Sequence, residues 1–142
     1  MSIALEEAEK AAALGEVPVG AAVFRDGELL ARAHNLRETS NDPLAHAECR
    51  ALCGAAKKLG SWRLEGTVMV VTLEPCLMCM GALLQARVPL LVYGADDPKA
   101  GAAGSLYDLS GDPRLNHAIK VVRGVRRKET SEILSRFFNE RR

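Results

Sequence analysis

Thr67-Val68-Met69-Val70-Val71-Thr72-Leu73-Glu74-Pro75-Cys76-Leu77-Met78-Cys79 decides how this chain folds. Residues 67–73 are an apolar run rich in β-branched side chains, 77–86 carry a helical pattern, and 89–93 form a second short apolar run. Strand, helix and strand in so short a span require a parallel crossover. Parallel strands are buried on both faces, so helices must cover both sides of the sheet. The same stretch carries chemistry. Cys76 and Cys79 offer two soft sulfur donors within one helical turn, and Pro75 suits the first helical position, where its missing N–H costs nothing. The positive end of that helix favours thiolates, which are the metal-binding form of cysteine.

Thirty residues before Cys76 stands His46-Ala47-Glu48. One imidazole added to two thiolates makes three ligands, which on zinc leave a fourth position open for water; a closed structural site fills all four. Glu48 falls outside the ligand count. A carboxylate two residues from a ligand, beside an activated water, is placed for proton transfer. Asp42-Pro43 should cap and start the helix that carries this pair. Two positions on a regular helix lie roughly 200° apart, so His46 and Glu48 can approach one metal only from the helix end.

The remaining elements follow from periodicity. Residues 3–14 form an alanine-faced helix ended by Gly15, and 17–24 and 28–34 pair as a hairpin through Asp26-Gly27. Residues 119–122 supply a short fifth strand, and 126–142 a closing helix with Ile133, Leu134, Phe137 and Phe138 on its apolar side. The expected fold is α/β: a three-layer α/β/α sandwich with a mixed five-stranded sheet and helices on both faces.

At 142 residues the chain fits one domain spanning 1–142, with no room for a separate RNA-binding module. The formal net charge of +1 conceals an asymmetry. Residues 1–113 hold 10 Lys and Arg against 15 Asp and Glu, a net of −5, whereas 114–142 hold 9 against 3, a net of +6. Such a basic end favours an anionic partner over a solvated helix face. No signal-peptide pattern opens the chain and no apolar run approaches membrane length, so a soluble, cytoplasmic protein without membrane contact is expected. Four cysteines, two of them in Cys-x-x-Cys, then argue for metal or redox work and not for disulfides.

Cys49 stands three residues after His46, on the same side of the helix, and spacing alone permits a closed Cys3His structural zinc module. Against that, Cys49 and Cys53 follow an apolar pattern with Ala45, Leu52 and Ala56 and are expected in the core. His34 reads as structural and Trp62 as packing.

His-x-Glu followed by Pro-Cys-x-x-Cys is the signature of zinc nucleobase deaminases. Val17-Pro18-Val19-Gly20-Ala21, residues 42–48, Thr72-Leu73-Glu74-Pro75-Cys76, Gly101-Ala102-Ala103-Gly104-Ser105, Asn116-His117 and Phe137-Phe138 extend the likeness along nearly the whole chain. In this order they resemble the bacterial tRNA-specific adenosine deaminases of the cytidine deaminase-like superfamily. The metal motifs reach only the superfamily; residues 101–105 and the C-terminal Phe pair point to the tRNA enzymes. The resemblance implies a cytidine deaminase-like sandwich, one Zn2+ per subunit on His46, Cys76 and Cys79, and Glu48 as the proton carrier. It implies that Asn35 binds the target base or its ribose and that Asp97 lies in a substrate-facing loop. The family commonly carries Arg where this chain has Asp96, and an aliphatic residue where Cys49 stands. The implied reaction is hydrolysis of adenosine to inosine at the wobble position of a tRNA anticodon loop, by a homodimer. A stacked base hides its reactive carbon, so a base splayed from a loop suits the pocket.

Phe137, Phe138, Arg141 and Arg142 are the expected RNA contacts in the basic tail, with one Phe in the core and only the other touching RNA. Two other functions fit parts of the pattern. A deaminase of a free base such as guanine or cytosine would use the same zinc and Glu48 without needing the tail, and a structural zinc module would release no ammonia.

Overall fold

The computed structural model describes residues 1–141. Its elements are α1 (Ser2–Ala13), β1 (Gly20–Arg25), β2 (Glu28–His34), α2 (Ala47–Leu59), β3 (Thr67–Leu73), α3 (Leu77–Gln85), β4 (Leu90–Ala95), β5 (Lys120–Val122) and α4 (Arg127–Asn139). One five-stranded sheet runs in the order β2-β1-β3-β4-β5. β1 is antiparallel to β2 and β3, and the β3, β4 and β5 pairs are parallel, so the sheet is mixed as expected. Asp26 and Gly27 both take positive φ, 51° and 77°, which matches the right-handed twist of the β1–β2 hairpin.

α2 and α3 cover one face and pack on each other, while α1 and α4 meet on the opposite face. Alternation along β3 explains the layering. Met69 and Val71 point with Leu91 and Tyr93 into a core closed by Ala51, Ala55, Met80 and Leu83. α1 presents the buried Ala4, Ala8 and Ala11 to the other side, where α4 adds Ile133 and Phe137.

Register sets the site. Gly20 pairs with His34 and Ala21 with Val71, so the start of β1 and the ends of β2 and β3 share one edge of the sheet. The chain leaves β3 at that edge into Glu74, Pro75 and Cys76, and α3 begins there. Ligands collect at the carboxyl ends of strands where a sheet changes direction, and β3 is this strand, flanked by an antiparallel and a parallel neighbour.

Several local expectations are corrected. Asp42-Pro43 does not start α2: Asp42 Oδ1 accepts from Leu44 N at 2.9 Å and its carbonyl from Ala45 N at 3.2 Å, closing a separate turn before the helix begins at Ala47. Pro75 likewise precedes the N-cap Cys76 and is not the first helical residue. Cys53 is exposed, not core, because it faces the outer groove of α2. Trp62 is 60% exposed, with the Arg63 guanidinium 4.7 Å from its ring centre, and is a surface residue.

Candidate active site

Two helix N-termini meet at the sheet edge, and each is capped by a candidate ligand. His46 is the N-cap of α2 and Cys76 the N-cap of α3, both with extended backbone, and neither side chain makes a capping hydrogen bond. The side chains are therefore free to turn toward each other, and the positive ends of both helices face the space between them. Cys79 joins from the first turn of α3.

His46 Nδ1 lies 3.7 Å from Cys76 Sγ and 3.5 Å from Cys79 Sγ, and the three donor atoms all lie within 4.8 Å of one another. Zinc–sulfur bonds of ~2.3 Å and zinc–nitrogen bonds of ~2.0 Å at tetrahedral angles give edges of roughly 3.5 to 3.8 Å. The spacing and the soft donor set both fit a transition metal such as zinc. Hydrogen bonding from Cys79, with His46 adding to it, holds the Cys76 thiol down to about 3. The bond to Cys76 in turn raises the His46 pKa. Cys79 is pushed up by the sulfurs of Cys49 and Cys76 and by burial, so a metal entering here must displace its proton.

Glu48, in the first turn of α2, is 4% exposed. Burial raises its pKa, against the lowering effect of its own backbone N–H, His46 and the Cys79 thiol. Among the described residues no Lys or Arg pairs with it. Glu48 opens with His46 and Cys76 into a cavity of ≈ 210 Å³ walled by Asn35, Glu74, Asp97 and Ala100.

The structure gathers five of the expected site residues, His46, Glu48, Cys76, Asn35 and Asp97, around this cavity, and Cys79 stands buried beside His46 without lining it. Asn35 is partly committed to the protein: its Nδ2 donates to Val17 O at 3.2 Å and its Oδ1 accepts from Arg37 N at 3.0 Å, which fixes the amide at the cavity wall. Asp97 Oδ1 accepts from Lys99 N and Ala100 N at 3.1 and 3.2 Å, closing a turn in the wall.

The described C-terminal residues, Phe137, Phe138 and Arg141, do not join the cavity lining. Phe137 is 6% exposed and is the core member of the Phe pair. Phe138, 49% exposed and edge-on to Phe137, is the aromatic on the surface. The Arg141 guanidinium sits 3.5 Å over the Phe137 ring. Arg142 lies outside the described residues. His34 Nδ1 meets Glu7 Oε1 at 3.0 Å, and His117 Nε2 donates to Val88 O at 2.9 Å, so both have partners within the fold.

Sequence reasoning gave Glu74 no role, although it stands next to Pro75 in the stretch that decides the fold. It is a carboxylate, 2% exposed, in the cavity wall. The available signal was its charge, directly after an apolar strand and ahead of the metal motif.

The whole chain, residues 1–142, matches the MafB19-like deaminase family. It is 51% identical to the tRNA-specific adenosine deaminase of Bacillus subtilis over 142 residues, covering 100% of this chain and 88% of the relative. With that of Haemophilus influenzae the identity is 46%, covering 100% and 83%. A solved structure from work on A-to-I editing by tRNA:A34 deaminases superposes with a TM-score of 0.91 at 43% identity, covering 94% of this chain and 97% of that one. Guanine deaminase from Nitrosomonas europaea superposes with a TM-score of 0.79 at 29% identity, covering 96% and 81%.

Proposed function

We propose, from the premise that this chain belongs to the MafB19-like deaminase family and to the tRNA-specific adenosine deaminases, that it hydrolyses adenosine to inosine at the wobble position of tRNA, releasing ammonia. The observation that carries the reading is Glu48: a buried carboxyl without a basic partner, opening into a cavity beside one imidazole and two thiols. We read residues 1–142 as one deaminase unit.

His46, Cys76 and Cys79 are the residues that would hold zinc, one ion per subunit. Bound there, it supplies the Lewis acidity that makes water nucleophilic near neutral pH. The proton traffic belongs to Glu48. Its carboxylate takes a proton from the attacking water and passes it to purine N1, which makes C6 electrophilic. It then carries a second proton to the amino group, so that ammonia leaves as the C–N bond breaks. Burial raises the Glu48 pKa toward the working pH, which suits a group that must both accept and donate. Asn35 and Asp97, held from behind by backbone contacts, orient the base and ribose against the cavity wall.

tRNA enters through its anticodon loop, and the basic end carrying Phe138, Arg141 and Arg142 holds the RNA. The protein acts as a homodimer. Supporting this is an open groove of ≈ 1190 Å³ along α2 and α3, lined by Leu44, Trp62 and Met78, of which Leu44 and Trp62 are each 60% exposed. A second copy would cover this apolar surface. Among the described residues no helix is long and apolar enough to cross a membrane, and the reaction belongs where tRNA is, in the cytoplasm.

The test is direct. The zinc-loaded protein is incubated with a tRNA bearing a wobble adenosine and, separately, with guanine and cytosine, and inosine and ammonia are measured. Inosine in the tRNA alone is expected. Ammonia from a free base alone would move the chain to the free-base deaminases, and none from any substrate would leave a structural zinc module.

A further inference from the structure

Asp97 and Ala100 line the cavity and open the segment 97–105, which contains the Gly101-Ala102-Ala103-Gly104-Ser105 stretch. This segment has no regular secondary structure to hold it: it contributes only an isolated bridge between Ala103 and Asp108. Side chains hold it instead: Arg123 Nη2 donates to Ala103 O at 2.9 Å, and Glu74 takes the larger share. Glu74 Oε1 accepts from Asp97 N at 3.0 Å and from Ser105 Oγ, and its Oε2 accepts from Ala103 N and Ser105 N, each at 3.0 Å. Two backbone bonds run beside them, Glu74 N to Ala95 O at 2.9 Å and Ala102 N to Pro75 O at 2.8 Å. Gly101 lies directly on the carboxylate, and a Cβ there would collide with it. A glycine at 101 and a hydroxyl at 105 are what a buried Glu74 requires.

We infer that Glu74 is the positioning residue of the substrate site: its carboxylate holds the 97–105 wall, and Asp97 with it, at a set distance from the metal-ligand segment that begins one residue later at Pro75. The inference rests on the proposed function in taking this cavity as the place where the base binds. The coupling is physical. Glu74 sits between β3 and Cys76, so the same short stretch fixes a ligand on one side and the cavity wall on the other. Burial leaves the carboxylate dependent on these donors, and charge-assisted bonds to backbone N–H groups are among the stronger hydrogen bonds in proteins. The wall and the ligands therefore move as one body.

Glu74→Gln tests this at constant size. Whichever way the amide is turned, its NH2 faces at least one backbone N–H in place of an acceptor, so the wall loosens while Gly101 still fits. Amide exchange of the zinc-loaded protein without substrate should accelerate within 97–105 and stay unchanged elsewhere. Zinc content should be unchanged, and KM for an anticodon stem-loop should rise about tenfold with kcat changed by less than about threefold. Ser105→Ala, which removes one donor, the hydroxyl, and only from the wall, should give a smaller shift in the same two readouts and serves where Glu74→Gln folds poorly. Unchanged exchange at 97–105 in both variants overturns the anchor. Loosened exchange with unchanged KM overturns the link to substrate. Zinc loss without local loosening would make Glu74 a support of the ligands alone, which also overturns it. Failure of the wild type to act on the stem-loop would remove the proposed function instead, and the exchange result would still stand by itself.

Discussion

Glu7 and Glu48 are both buried glutamates beside a histidine, at 3% and 4% exposure, and the fold treats them in opposite ways. Glu7, on α1, is surrounded: Lys10 Nζ lies 2.6 Å away, Arg32 Nε 2.9 Å and His34 Nδ1 3.0 Å. Burial works against its charge, but the hydrogen bonds from His34, Lys10 and Arg32 overcome it and bring the pKa down to about 2. Glu48 has no such partners, and burial raises it. Glu16 and Glu74 resemble Glu7 in being saturated, by backbone N–H groups of residues 38–39 and of 97–105 respectively. A saturated buried carboxylate ties two segments together, whereas one left short of donors can still take and give a proton.

Breaking the unsaturated side should have the largest effect. Glu48→Ala is expected to keep its zinc and fold and to lose at least ~100-fold in deamination, the typical value of a missing general acid–base. Inosine formation and metal analysis on the same sample check this; loss of stoichiometric zinc would show Glu48 to be a ligand.

The saturated side should respond in stability and not in chemistry. Glu7→Gln leaves Arg32, Lys10 and His34 facing an uncharged group and is expected to cost about 1 to 3 kcal/mol in urea unfolding at neutral pH, with turnover per zinc unchanged. The folded pKa lies below the ordinary 4.5, so the contribution of Glu7 is fully present above 4.5 and is lost as pH falls toward about 2. The stability gap between wild type and Glu7→Gln should therefore shrink between those values. A gap that stays constant down to pH 3 would show the network to be indifferent to its charge.

That distinction between the two glutamates was only half legible in the sequence. Glu48 stood out because it sits two residues from His46, and the hydrophobic periods of 67–73, 77–86 and 89–93 led directly to a mixed sheet with helices on both faces. Glu7 and Glu74 carried no mark beyond the helical i,i+3 spacing of Glu7 and Lys10, because their partners at 32, 34, 97, 103 and 105 come together only through the sheet register and the return of a long loop. The start of α2 was misplaced for a related reason. Asp42-Pro43 has the composition of a helix start, and only the closed turn at Leu44 and Ala45 shows that the chain spends it earlier, leaving His46 as the cap. Periodicity also could not tell Phe137 from Phe138: adjacent helical residues are about 100° apart, and either could have faced the sheet.

The tail sharpens the comparison by separating positioning from chemistry a second time. Replacing Arg141 and Arg142 with Ala should weaken tRNA binding and flatten its salt dependence, by roughly 0.7 to 0.9 in log–log slope for each phosphate no longer neutralised, with zinc content unchanged. Arg141 already spends one face on the Phe137 ring, so its contribution is expected at the edge of the guanidinium. Identical affinity of wild type and double variant at every salt concentration would make the tail a solvated helix end.

The smallest effect is expected at Cys49, and it tests where the site ends. Cys49 Sγ lies 3.8 Å from Cys79 Sγ, a distance compatible with a fourth ligand, yet only His46, Cys76 and Cys79 form a set within 4.8 Å of one another among the described residues. The Cys49 sulfur therefore lies more than 4.8 Å from at least one of the other donors, too far to complete a tetrahedron with them. It is half-buried on α2 and borders the outer groove, so a small apolar side chain should fill the same space. Cys49→Val is then expected to keep stoichiometric zinc and wild-type deamination, while Cys76→Ala loses the metal. The reverse result, zinc lost from Cys49→Val and kept in Cys76→Ala, would require a closed four-ligand site with no position for water. Glu48 would then be a buried carboxyl with no reaction to serve, and its contrast with Glu7 would be one of packing alone.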